Sequence, residues 1–408
     1  MKMLTLLIAG VVSAVSCRNN TTSPESSTDS TAGSLRMSAP FAGQTTQFAF
    51  DVTGRVSQQE GVDKNVFISP MSLHIALGML LNGADGQTAQ QIQKTLKLDA
   101  QTLTEANQTY QNLLQNLPKI DPKVTLTLAN SVWYRNTSTL AQSFQDVLKQ
   151  TFGATVSAEN FNDPATVSKI NNWASQQTNG RIPKVINSIQ PENSLFVLNA
   201  LYFKGNWQSQ FKSEATVDMP FTVASGTQKT VRMMRQKLAM RRAFRDGYTA
   251  FELPYGDDHL AMTVLLPAAG RSADSLLQAY TATEWSALQQ SMTKGSMDIG
   301  LPKFTMNFEI QLNAVLSAMG MPVAFTNQAT FTKMNPAGGL TLSFVKQNTF
   351  VAVDEQGTEA AAVTTGAVST TSLQMPTLCD RPFVFVIHEK TTGVILFTGK
   401  VADPTQAN

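Results

Sequence analysis

Apolar positions along this chain alternate between a period near 3.6 and a period of two, so helices and strands are interleaved. Phe48, Phe50 and Val52 begin the first patterned run, which places the start of the folded part near Gln47. Residues 65–73 read as a short apolar strand that ends at Pro70, where the missing N–H would break a ladder. Residues 75–81 follow with helical character and are apolar on most faces, which predicts a helix in the middle of the fold. Further helices are expected over 88–98, 103–117, 144–150 and 165–177, the last stopped by Asn179-Gly180. Strands are expected over 126–134, 195–203, 248–254 and 259–267, the last pair joined by a Gly256-Asp257-Asp258 turn. Residues 231–245 mix Arg232, Arg235, Lys237, Arg241, Arg242 and Arg245 with methionines. They read as amphipathic edge strands with solvated charges rather than as a basic binding stripe. Two apolar runs, 383–387 and 393–401, predict a buried hairpin. The order is that of an α+β fold, with no internal repeat and no second domain.

One stretch does not settle into either period. Over 354–372, Thr358, Ala360, Ala362, Thr364, Gly366, Val368 and Thr370 share one face of an extended chain, and all are small and uncharged. Glu359, Ala361, Val363, Thr365, Ala367 and Ser369 share the other. No Pro, Lys or Arg lies between Glu355 and Ser372, so nothing forbids burial of the first face in a sheet. Yet Gly366 and the Ala/Thr/Ser content make a weak permanent strand. The segment reads as able to be either loop or strand.

Within it, Glu355-Gln356-Gly357-Thr358-Glu359-Ala360-Ala361-Ala362 resembles the hinge of the reactive loop of inhibitory serpins. A second match is Leu198-Asn199-Ala200-Leu201-Tyr202-Phe203-Lys204-Gly205-Asn206-Trp207, which is similar to the family's central strand, with Asn199 below the sheet and Trp207 at the top where the loop enters. Ser69 and Ser72 resemble the serines beneath that sheet; from the residues alone they are equally a helix cap. Leu301-Pro302-Lys303-Phe304 and the closing hairpin from Asp380 complete a series of motifs in family order over about 47–404.

The resemblance implies a serpin fold, about eight to nine helices around three β-sheets, with an exposed loop at about 355–377 that inserts into the central sheet. Such insertion is an established property of the family. It implies inhibition of a serine protease by suicide covalent trapping, with cysteine proteases as a further partner class and a monomeric chain. Counting sixteen residues on from Glu355 places the reactive bond between Thr371 and Ser372. A small β-branched Thr371 suits a shallow elastase-like or a broad subtilisin-like pocket, whereas a trypsin-like pocket wants Lys or Arg. Cleavage after Val368 or Leu373 is the competing register. Glu355 is expected to pair with Lys303. Gln347 stands where most inhibitory members carry a His facing Ser69 and Asn199, so this position cannot titrate.

Composition adds little. The 408 residues carry 31 basic and 29 acidic side chains, which gives no reason to expect nucleic acid as a partner. Two cysteines, Cys17 and Cys379, make no disulfide framework. Lys2 followed by an apolar run over 4–15 reads as a signal peptide, 1–16. Ala14-Val15-Ser16-Cys17 resembles a bacterial lipoprotein processing site in which Cys17 is lipidated. Ala14 stands where Leu is usual, and Ala14 with Ser16 also suits ordinary signal cleavage. Residues 17–46 then read as a lipidated Cys and a flexible Ser/Thr-rich tether, and 47–408 as one domain. The expected location is a bacterial cell surface or outer membrane through the lipid anchor alone, or, without lipid, the periplasm or the medium.

Catalytic chemistry is missing from the pattern. The three histidines, His74, His259 and His388, have no metal-ligand spacing, and no His-Glu-x-x-His, Gly-x-Ser-x-Gly or phosphate-binding glycine loop occurs. The expectation is no metal, no cofactor and no enzymatic turnover, with His74 a core residue. A serpin fold used without inhibition, as a binding protein, is the rival reading. The small residues from Thr358 to Ala362 oppose it.

Overall fold

The computed structural model describes residues 35–98, 101–358 and 375–407. Glu359, Ala360, Ala361, Ala362, Thr371, Ser372 and Cys17 lie outside the described residues, as does the rest of the expected tether up to residue 34.

The first helix, α1, spans Ala39–Glu60. It is capped by Ser38, has a proline in its first turn, and buries Phe41, Phe48, Val52 and Val56 on one face. It therefore starts ahead of Gln47. The expected tether ran too far because Ser38, Ala39 and Pro40 carry little apolar signal, although a serine followed closely by proline is a helix-start signal. After β1 (Val66–Ile68) comes α2 (Pro70–Gly83), all of it buried except Asn82. This helix packs against strands of both sheets, which explains why it is apolar all round. Next are α3 (Gly86–Thr95), α4 (Leu103–Asn116, opened by a Thr102/Glu105 capping box), β2 (Val124–Arg135), α5 (Gln142–Phe152), β3 (Thr155–Glu159) and α6 (Pro164–Gln177). The strands β4 (Leu195–Asn206), β5 (Val217–Thr222), β6 (Gln228–Arg245), β7 (Tyr248–Tyr255) and β8 (Leu260–Pro267) precede α7 (Ala273–Ala279) and α8 (Ala282–Ser291). The chain continues through β9 (Thr293–Pro302), β10 (Phe304–Gln311), α9 (Asn313–Ala318), β11 (Phe344–Val353) and β12 (Gly357–Thr358). It ends with β13 (Thr377–Leu378), β14 (Phe383–Glu389) and β15 (Ile395–Val401). Among the described residues there are thus nine α-helices, as expected.

These strands form two hydrogen-bonded networks among the described residues, not three. One has six strands in the order β10-β11-β12-β4-β2-β3. The other has nine, β1-β15-β14-β8-β7-β6-β9-β13, with β5 on β6. The cause is β6: it pairs with β5 and β9 over most of its length, and its last residues, from Arg242, pair with β7. This continuity also corrects the edge-strand reading of 231–245, since β6 lies inside the sheet. Four of the six basic residues in that stretch are ion-paired, which argues against a binding stripe. Arg232, Arg235, Arg241 and Arg245 pair with Asp218, Asp298, Glu252 and Glu284.

Candidate functional site

The site is the seam between β4 and β11 in the six-stranded sheet. The two strands pair in parallel from Phe196↔Phe344 to Ala200↔Asn348. At the far end β12 lies between them, antiparallel to both, with Gly357↔Asn206 and Thr358↔Gly205 on one side and Thr358↔Val353 on the other. Between those contacts, residues 201–204 and 349–352 are not paired with each other, and among the described residues no strand separates them. Each stretch has its outer ladder complete, β4 on β2 and β11 on β10.

The upper end of the seam is built from residues far apart in sequence. Lys303 Nζ donates to Glu355 Oε2 at 2.6 Å, as the serpin resemblance implied, and Thr216 Oγ1 donates to the other oxygen at 2.8 Å. Burial alone would raise the pKa of Glu355, but the bonds from Lys303 and Thr216 outweigh it and hold the carboxyl below the ordinary glutamate value. Its neighbour Asp354 is pushed the other way by burial, although its Oδ1 accepts the backbone N–H of Gln356 at 2.9 Å and closes the turn. The Trp207 indole N–H donates to Asp354 O at 2.9 Å, and the Trp207 backbone N–H donates to Gln356 O at 2.8 Å. Gly357 is required by crowding: a Cβ there would stand 2.1 Å from Gly205 O and 2.6 Å from Asn206 Cα. Thr358, the one described member of the small-residue face, is buried, and its hydroxyl lies 2.6 Å from that of Tyr255.

Beneath the paired half of the seam, the Gln347 side chain grips both main-chain polar groups of Ser69. Its Oε1 accepts from Ser69 N at 2.8 Å and its Nε2 donates to Ser69 O at 2.9 Å. Ser69 is the N-cap of α2; its hydroxyl accepts from Ser72 N at 3.3 Å and donates to Leu396 O at 2.7 Å. The cap reading and the position beneath the sheet both hold. Asn199, in register with Gln347, turns instead to Asn130, donating from Nδ2 to Oδ1 at 2.7 Å. The Ser72 hydroxyl and Asn199 Oδ1 have no hydrogen-bond partner among the described residues. The structure thus brings Ser69 to Gln347, and Lys303 and Trp207 to the hinge. It does not join Ser72 or Asn199 to Gln347. On the opposite face of this half, Phe344 stacks on Phe196 across the seam with centroids 4.8 Å apart.

Sequence reading missed Thr216, Tyr255 and Asn130. No motif around them marks them, and only the strand pairing brings each to its partner. His74 and His388 are core residues, whereas His259 is only half-buried; His74 is fully buried, with Nε2 3.0 Å from Leu96 O and Nδ1 2.9 Å from the Tyr110 hydroxyl. Cys379 is buried as a free thiol. Among the described residues no group of His, Cys, Asp or Glu has the arrangement of a metal site.

A sheet with an opening between two parallel strands, and a chain segment turning back into its upper end, is the architecture that serpins use. The serpin (serine protease inhibitor) family model matches residues 43–404, and the chain belongs to that family. Human Serpin B4 is 34% identical over 387 residues, covering 88% of this chain and 98% of the relative. The leukocyte elastase inhibitor of Sus scrofa is 33% identical over 379 residues, with the same shares covered. Among solved structures, the thermophilic serpin tengpin in its native state superposes with a TM-score of 0.84 at 28% identity, covering 90% of this chain and 95% of that one.

Proposed function

We propose that this chain inhibits serine proteases of the elastase-like or subtilisin-like kind by suicide trapping. The target attacks the bond between Thr371 and Ser372, forms an ester with Thr371 and releases the following amine. The freed strand then inserts into the seam before water completes deacylation. The observation that carries this reading is β12, which already lies antiparallel to both β4 and β11 at the upper end of the seam.

Continuing the β12 register would set Ala360 opposite Phe203 and Ala362 opposite Leu201, small residues beside two buried large ones. Beyond Ala362 the strand must part the parallel ladder that now joins 196–200 to 344–348. Roughly ten or more new backbone hydrogen bonds, at about 1 kcal/mol net each, would supply on the order of 10 kcal/mol for that parting and for dragging the protease. The leukocyte elastase inhibitor among the relatives supports an elastase-like target, as does a small residue at 371.

The same reading makes the protein a monomer until it meets its target, with cysteine proteases a further class to screen. It also makes it an exported protein, held at a bacterial surface by lipid on Cys17 or released after ordinary signal cleavage. Among the described residues no helix is long and apolar enough to cross a membrane.

The test is incubation with pancreatic elastase and subtilisin, followed by a denaturing gel and mass spectrometry. A complex stable to denaturant, with a released C-terminal peptide beginning at Ser372, supports the reading. Cleavage without a complex would assign the fold to a non-inhibitory binding role. A peptide starting at Ser369 or Gln374 would move the reactive bond.

A further inference from the structure

The hydroxyls of Tyr255 and Thr358 lie 2.6 Å apart, and both residues are almost wholly buried. Tyr255 closes β7 in the nine-stranded sheet, whereas Thr358 is the second residue of β12 in the six-stranded one. One hydrogen bond thus ties the beginning of the reactive segment to the other sheet. The Tyr255 ring is itself held fast. It stacks on Trp207 with centroids 4.6 Å apart and meets the edge of Phe203 at 5.0 Å. It also lies close against β4, where a Cβ on Gly205 would stand 3.0 Å from a ring carbon.

We propose that Tyr255 is a positioning residue that fixes the register in which the reactive segment enters the seam. This rests on the loop-insertion reading above. A strand has period two, so a slip of one residue would turn Glu359 rather than Thr358 toward the phenol and bury a carboxylate in an apolar site. The hydroxyl pair selects the register with the small residues inward. Thr358 occupies its rung before cleavage, and insertion extends the strand from that rung without breaking the bond. The costly first step of strand addition is therefore already made, and insertion has only to propagate. Without the bond, the first rung frays, insertion starts later, and more of the acylated protease escapes by hydrolysis.

The test uses full-length Tyr255→Phe, Thr358→Val and the double variant, each removing one hydroxyl at nearly constant volume. Two quantities are read: hydrogen exchange over 354–358 in the uncleaved protein, and the number of inhibitor molecules consumed per protease trapped. Each single variant should speed exchange about two- to tenfold and raise the stoichiometry. The double variant should be no worse than the worse single one, because both remove the same bond. Unchanged exchange and stoichiometry, additive effects, or a fall in stoichiometry would overturn the assignment. If the wild type traps no protease, the loop-insertion reading fails by itself, and the pin is judged on exchange: no acceleration in either single variant refutes it.

Discussion

Replacing Gln347 by Leu removes the grip on Ser69 at nearly constant volume, and the structure permits the cost to be worked out. Gln347 is 4% exposed, and its side-chain amide bonds both the N–H and the C=O of Ser69. The Ser69 carbonyl has a second partner, since Leu73 N donates to it at 3.1 Å within the first turn of α2. Its N–H has no other hydrogen bond among the described residues, and Ser69 is fully buried. Leucine therefore strands one buried donor, about 1–3 kcal/mol, and forfeits one further net hydrogen bond, about 1 kcal/mol. A loss of about 2–4 kcal/mol in a chain of this size should lower the thermal midpoint of the uncleaved protein by about 2–6 °C. Because Gln does not titrate, the gap between wild type and variant should be the same at pH 6 and pH 8. Gln347→His should recover part of the loss, since an imidazole can answer the N–H, and should make the gap depend on pH. A Leu variant within about 1 °C of wild type would show that the N–H finds another partner and that the two-point contact does not support the seam.

Three further outcomes are expected. Gly357→Ala should drive the hinge out of the seam, because the new Cβ would meet the backbone at 2.1 Å, which no side-chain rotation relieves; exchange over 354–358 should then rise at least about tenfold, and wild-type protection would refute the packing argument. Burial holds His74 and His388 at pKa values of about 4 against 6.5 when unfolded, so both are neutral in the fold. Their contribution is complete above about pH 6.5 and is lost as pH falls toward 4, which urea titrations at pH 7.5, 5.5 and 4.5 should show as falling stability; a flat profile would mean that these rings are hydrated. Cys17→Ser should release the protein from membranes of an expressing bacterium, and equal membrane association of variant and wild type would remove the lipid anchor.

Much of the seam was legible because its parts are short runs with strong chemical character. An uncharged small-residue face, a strand of apolar residues ending in Trp207, and an acid and a base expected to pair (Glu355 and Lys303) are visible without coordinates. Gln347 was legible only through the serpin resemblance, which set it facing Ser69 and Asn199; it bonds Ser69, whereas Asn199 turns to Asn130. What stayed hidden depends on pairing over long sequence distances. Tyr255 looks like any strand aromatic until β7 closes beside β4, and Thr216 is one threonine among many until its hydroxyl meets Glu355. Asn130 captures Asn199 because β2 and β4 set them opposite each other, a register that depends on the whole antiparallel ladder. The edge-strand error at β6 has the same origin. Alternation reveals which face is buried, but not whether a neighbour lies on both sides.

On the proposed reading, the segment after Thr358 becomes a strand of the sheet once its far end is freed. Thermal unfolding of the intact protein and of protein nicked at Thr371 by a non-target protease tests this most directly. Insertion predicts that the nicked form unfolds about 10 °C or more above the intact one, as roughly ten added backbone hydrogen bonds require. A midpoint that is unchanged or lower after nicking would contradict the account, because the seam between β4 and β11 would then not accept the segment.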